Sequence, residues 1–228
     1  MLVSVHMPKT AGLSFRASLE ACFGEGFRHD YQDYPLAQAA QVRRQQAQDW
    51  GRAAQAADFA GVTCMHGHFL PLKYLELART LPCTFVTWLR EPVERLVSHY
   101  YYWQRAYDPA SDLTSPLHRR VIEEGWSLQR FCLAPELRNV YSEFLWGFPL
   151  ERLDFIGITE FFADDLRYFS QQVLGNKMQA HTLNRRAAPG EGEHQAPLSA
   201  AARSEIEAWH AADMALYRQA LELRKARR

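Results

Sequence analysis

Three short stretches carry side chains whose types and spacing could do chemistry together: Pro8-Lys9-Thr10-Ala11-Gly12-Leu13-Ser14, Met65-His66-Gly67-His68-Phe69, and Arg90-Glu91-Pro92-Val93-Glu94-Arg95-Leu96-Val97-Ser98. In the first, small residues let an anion approach the backbone, the hydroxyls of Thr10 and Ser14 can donate hydrogen bonds, and Lys9 brings the positive charge that a departing phosphate needs. It is not a Walker A loop, because the lysine comes before the only glycine, and no Mg²⁺ ligand is evident. In the third, a guanidinium at Arg90 and a hydroxyl at Ser98 could grip a second phosphate. The histidines of the second can accept a proton near pH 7. Each stretch also has a plainer reading. The first is then a strand-to-helix turn with an incidental lysine, the second a packed histidine pair, and the third a structural ion pair between Arg90 and a carboxylate. Two histidines two residues apart also suit a metal, but no third ligand has evident spacing, so no metal is expected.

The elements that must position these residues follow from apolar patterning. Leu2 to Met7 is an apolar run bounded by Pro8, and it suits a buried parallel strand. A strand, a tight turn and a helix N-terminus together aim backbone N–H groups at one point, which is how proteins hold phosphate. The helix after the turn carries Leu13, Ala17, Leu19 and Cys22 at helical spacing and stops around Gly24 and Gly26. Residues 35–59, rich in Ala, Gln and Arg, read as a partly exposed helical insertion. Val62 to Met65 is a second strand candidate and Pro71 to Ala78 a short helix. Cys83 to Leu89, rich in β-branched and aromatic residues, is the clearest strand. Pro92 then opens a helix with Val93, Leu96, Val97, Tyr100 and Tyr101 at spacings of three and four. Further helices are expected near 115–124, 127–133 and 136–146. Phe155 to Thr159 is a fourth strand, followed by a helix marked by Phe162, Leu166, Phe169 and Val173. Residues 176–198 lack periodicity and read as a mobile loop. Ser199 caps a closing helix that runs through Ile206, Trp209, Leu216 and Leu221.

Strands alternating with helices predict an α/β fold in one domain over 1–228, with a mostly parallel sheet covered on both faces and ligand at the carboxyl ends of its strands. Each chemical stretch lies just past a predicted strand.

Composition narrows the partners. Lys+Arg and Asp+Glu balance at 26 each, so an anion site must be a local cluster and nucleic acid is not an expected partner. Cys22, Cys64, Cys83 and Cys132 are far apart with no CxxC pair, and read as buried thiols in a reducing compartment. No secretory leader and no transmembrane run stands in the sequence, so a cytoplasmic protein is expected.

Taken in order, the first and third stretches resemble the sulfotransferases that use 3′-phosphoadenosine 5′-phosphosulfate (PAPS), in particular the carbohydrate group that includes heparan sulfate 2-O-sulfotransferase. In that family a PKTxGxS-type loop holds the 5′-phosphosulfate, and an RxPxxRxxS segment holds the 3′-phosphate through its first Arg and its Ser. The resemblance implies that Lys9, Thr10, Ala11, Gly12, Leu13 and Ser14 bind the phosphosulfate and that Arg90 and Ser98 bind the 3′-phosphate. It also implies that the His-Gly-His stretch is catalytic, with His68 as base, His66 assisting or orienting it, and Lys9 aiding the leaving group. His181-Thr182-Leu183-Asn184-Arg185-Arg186 resembles a segment that closes over the nucleotide, with Asn184 and Arg185 as contacts. Phe155-Ile156-Gly157-Ile158-Thr159-Glu160-Phe161 and Asp213-Met214-Ala215-Leu216-Tyr217 are similar to family patterns and are read as architectural. The other histidines, His6 among them, are given no role. The function so implied is transfer of a sulfuryl group to a hydroxyl of a carbohydrate or glycolipid, with PAP as co-product and no metal. A P-loop-type kinase using ATP and Mg²⁺, or a non-catalytic nucleotide-binding module, is the alternative.

Overall fold

The computed structural model describes residues 1–33, 38–111, 114–175, 178 and 198–227, apart from the side chain of Leu13. Five strands form one parallel sheet in the order β2-β3-β1-β4-β5, where β1 is Leu2–Val5, β2 Phe27–His29, β3 Cys64–Gly67, β4 Thr84–Leu89 and β5 Phe155–Ile158. From β1 the chain passes to the edge strand β2, returns to lay β3 between β2 and β1, and then crosses to β4 and β5 on the other side. The topological switch point therefore lies at β1, where the carboxyl ends of neighbouring strands open a crevice.

The period-two pattern divides the core. Leu2, Cys64, Val86, Trp88 and Phe155 face one side, where Phe15 and Leu19 of α1 (Gly12–Phe23) and Leu166 of α7 (Phe162–Tyr168) cover them. Val3, Val5, Met65, Phe85 and Ile156 face the other, beneath α6 (Val140–Phe144) and α9 (Ala211–Ala226). Both faces are covered, as expected for strands that are apolar throughout. A third cluster, with Val93, Leu96, Phe131 and Ile206, joins α3 (Pro92–Ala106) to α5 (Leu128–Cys132) and α8 (Ala200–Trp209). Between α3 and α5 lies α4 (Pro116–Glu123).

Several expectations are corrected. β2 is a fifth strand that patterning missed, because this edge strand is only three residues long and two of them, Arg28 and His29, are exposed. The helix expected over Pro71 to Ala78 is two 3₁₀ turns, Pro71–Tyr74 and Leu77–Arg79. The one over 136–146 shortens to α6, preceded by the 3₁₀ turn Pro135–Leu137. The closing helix breaks at His210 into α8 and α9. The insertion is helical over α2 (Ala40–Ala53), but it is anchored by charge: Arg43 is buried, and Arg43 and Arg44 each lie 2.7 Å from the carboxylate of Glu143 on α6. Residues 35–37 of the insertion, and Asn184 and Arg185 with most of 176–198, lie outside the described residues. Cys64 and Cys132 are buried and Cys22 and Cys83 half-buried, all as free thiols. Among the described residues no helix is long and apolar enough to cross a membrane.

Candidate functional site

The turn after β1 is built against the preferences of its own residues. Lys9 (φ 66°) and Ala11 (φ 62°) are left-handed without being glycine, on either side of Thr10, which is not. Such residues cost about 1–3 kcal/mol each and persist where the surroundings hold them. Left-handed residues alternating with others are the backbone pattern from which nests of N–H groups around an anion are made. Ala11 is also the N-cap of α1 and offers no side-chain acceptor, so the N–H groups of the first turn, those of Gly12, Leu13 and Ser14, are not capped by it. Thr10 is fully buried and its hydroxyl donates to the Met7 carbonyl at 2.9 Å. That hydroxyl closes the turn, a use different from the anion contact expected from sequence. Ser14 is half-buried one turn into the helix edge, and the Lys9 ammonium lies 3.9 Å from the centre of the Tyr102 ring on α3.

Gly12 is required here by contact. A Cβ on it would lie 1.6 Å from Nε2 of His6, so only glycine lets α1 start against that imidazole. His6 is stacked on His68 (centroids 4.4 Å apart, planes at 27°) and on His66 (5.1 Å, 23°). Stacked rings aim their in-plane lone pairs past one another, and the described residues contain no group of three or more ligands able to hold a metal.

The three imidazoles differ in what their nitrogens do. Nδ1 of His68 donates to the His6 carbonyl at 2.5 Å, which fixes the tautomer and leaves the Nε2 lone pair as the basic atom. His68 is also partly exposed, so that lone pair is reachable from solvent. Burial pulls its pKa below the usual 6.5, with the hydrogen bond to His6 opposing. His66, in β3, is fully buried; its Nδ1 is 2.9 Å from the Ser4 hydroxyl and its Nε2 has no hydrogen-bond partner among the described residues. Burial and then the neighbouring His68 push His66 down to about 3. The structure thus places His66 as a neutral wall behind His6, away from solvent. Burial, followed by the charges of His68, His66, Arg16 and Lys9, pushes His6 down to about 2. Tyr31 completes the cluster, edge-on to His68 at 5.0 Å with its hydroxyl 3.4 Å from Nδ1 of His6. His6 had a signal in the sequence: it shares the side of Ser4 at the end of an otherwise apolar strand.

Arg90 leaves β4 at the same carboxyl edge, since β4 pairs with β1. Its guanidinium makes no ion pair or hydrogen bond with the other described residues, while the nearby acids are otherwise engaged. Glu91 caps α3 by accepting from the Glu94 N–H at 2.7 Å, and Arg203 on α8 pairs with Glu91, Glu94 and Glu207 at 3.2, 2.8 and 3.1 Å. The ion-pair reading of Arg90 is therefore not realised there. Ser98 stands half-buried two turns into α3.

Arg95 stands in the third stretch with no role expected of it. It is in fact fully buried, with none of its three guanidinium nitrogens hydrogen-bonded among the described residues, and it lies over the Tyr141 ring at 5.5 Å. One turn on, buried His99 is held well below the ordinary imidazole range by burial, then by the charges of Arg95, Lys9, His118 and His68. Lys9, His68 and α3 thus share one neighbourhood. Its signal was a charged residue inside the apolar stripe Val93, Leu96, Val97.

No protein-family model matches the chain, and no curated protein matches it. Among solved structures it is similar to a mouse sulfotransferase, SULT7A1, complexed with PAP (TM-score 0.37, 11% identity, 90% of this chain and 61% of that one). It is also similar to a sulfotransferase from Alicyclobacillus acidocaldarius (TM-score 0.47, 14% identity, 94% of this chain and 92% of that one). This chain thus spans about three fifths of the mouse protein's length. Likeness at this level is no warrant for a donor or an acceptor; those rest on the residues themselves.

Proposed function

We propose that this chain transfers a sulfuryl group from PAPS to a hydroxyl of a carbohydrate or glycolipid. The observation that carries the reading is the turn of two left-handed non-glycine residues opening into an uncapped helix N-terminus, with His68 stacked on the His6 ring that meets Gly12. In this reading the N–H groups of Lys9 through Ser14 hold the 5′ end of the donor, and Arg90 and Ser98 hold its 3′-phosphate. Residues Asn184 and Arg185 are proposed as further donor contacts. The donor supplies the migrating sulfuryl group.

The chemistry balances without a further reactant. Nε2 of His68 takes the proton of the acceptor hydroxyl as the new O–S bond forms. The S–O bond to the 5′-phosphate breaks, and the charge left on that phosphate is met by Lys9 and the turn's N–H groups. Holding the reacting oxygen and the leaving group in line is most of the task, as in phosphoryl transfer.

Transfer of label from PAPS to a panel of sugar, lipid and phenol acceptors tests this directly. Lys9→Ala and His68→Ala should each lower turnover about a hundredfold or more. Adenosine 3′,5′-bisphosphate should raise the thermal midpoint more than ATP with Mg²⁺ does. Wild-type turnover in both variants, or stronger protection by ATP with Mg²⁺, would overturn the proposal.

A further inference from the structure

We propose that Tyr141 is the residue that positions Arg90 for recognition of a 3′-phosphate, with Asp213 holding Tyr141 in place; the inference rests on the donor reading above. Arg90 occupies the link between the last residue of β4 and the first turn of α3, where neither element supplies a partner for its peptide. One phenol serves both of its backbone groups. The Tyr141 hydroxyl accepts from the Arg90 N–H at 3.0 Å and donates to the Arg90 carbonyl at 2.7 Å. A hydroxyl can do this because it is donor and acceptor at once. Tyr141 is fully buried, so the bracket is shielded from competing water.

Tyr141 sits on α6, a helix of five residues that local sequence cannot hold by itself. Its N-cap, Asn139, is left-handed and makes no side-chain cap. The cap comes from α9: the Asp213 carboxylate accepts from the N–H groups of Tyr141 and Ser142 at 3.0 and 2.9 Å, and from the Ser142 hydroxyl at 2.9 Å. His210 locks the same corner, with Nδ1 accepting from the Asn139 N–H at 3.2 Å and Nε2 donating to the Cys132 carbonyl at 2.8 Å. The fully buried Arg95 lies over the Tyr141 ring. The line from Asp213 through α6 and Tyr141 therefore fixes the peptide from which the Arg90 side chain leaves.

The test compares two nucleotides that differ only at the 3′ position. Adenosine 3′,5′-bisphosphate and adenosine 5′-monophosphate are titrated calorimetrically into the wild-type chain and the Tyr141→Phe variant, which keeps the ring and loses the bracket. The wild-type preference for the bisphosphate should fall about tenfold in the variant, the scale of one charge-assisted contact misplaced. Affinity for the monophosphate should stay the same, and KM for PAPS should rise with kcat retained. If Tyr141→Phe does not fold, Asp213→Asn is read the same way and decides the matter. A preserved preference in the variant, or an equal loss for both nucleotides, overturns the positioning role while leaving the donor reading intact. A wild-type chain with no preference for the bisphosphate overturns the donor reading, and this inference with it.

Discussion

At the scale of single residues, the site turns on which nitrogen of each imidazole is committed. His68 gives its Nδ1 proton to the His6 carbonyl, so Nε2 is a base without any need for a carboxylate partner. Burial lowers its pKa below 6.5, and the neutral, proton-accepting form therefore persists as the pH falls through 6.5. The expected pH profile of kcat/KM has an acid limb whose midpoint lies below 6.5. A rate measurement placing that midpoint above 6.5 would show that another group is the base. Lys9 is similarly specified by contact, its ammonium against Tyr102, while Thr10 spends its hydroxyl on the turn.

At the scale of elements, the residues after β2 are held by a buried ionic clamp on the Pro71–Tyr74 turn. The Lys73 ammonium lies 2.7 Å from Asp30 and 3.7 Å from Asp33, and 4.6 Å from the centre of the Trp50 ring. The Tyr74 hydroxyl donates to Asp30 at 2.7 Å, and the Leu70 N–H donates to Asp33 at 2.9 Å. Gly67 allows the approach, because a Cβ there would lie 1.6 Å from the Asp30 carbonyl oxygen. The clamp sets Tyr31 against His68. Removing one member leaves buried carboxylates unpaired, so Lys73→Met should lower unfolding free energy by about 3–5 kcal/mol, read from urea denaturation. A change within about 0.5 kcal/mol, the scale of surface substitutions, would show that the clamp contributes nothing net.

At the scale of the whole molecule, α9 closes the fold by returning over β5. Buried Arg224 donates through Nε to both oxygens of Asp165 at 2.8 and 3.0 Å, Arg227 approaches the same carboxylate at 3.0 Å, and Asp165 accepts from the Ile158 N–H at 2.8 Å. Arg227 also donates to the Ile156 carbonyl at 2.7 Å. The last helix thus seals the edge of the sheet while its first turn, at Asp213, secures the wall of the site. Arg224→Met should cost about 3 kcal/mol of stability, because a carboxylate 3% exposed loses its principal partner. An unchanged denaturation midpoint would assign that sealing to apolar contacts instead.

By itself the sequence determined the alternation of strand, turn and helix, and with it the parallel sheet, because apolar periodicity and Pro/Gly punctuation are local. It also determined which stretches lie at the strand ends. What only the tertiary structure decided is which atoms face one another across the chain. His6 joined His66 and His68 because β1 and β3 are neighbours in register, Ser4 opposite His66. Arg90 met Tyr141, and α6 met Asp213, across separations of 51 and 72 residues. Arg95 went inside although its type argued for the surface. Such contacts follow from how layers pack, and packing at long range leaves no periodic trace in the chain.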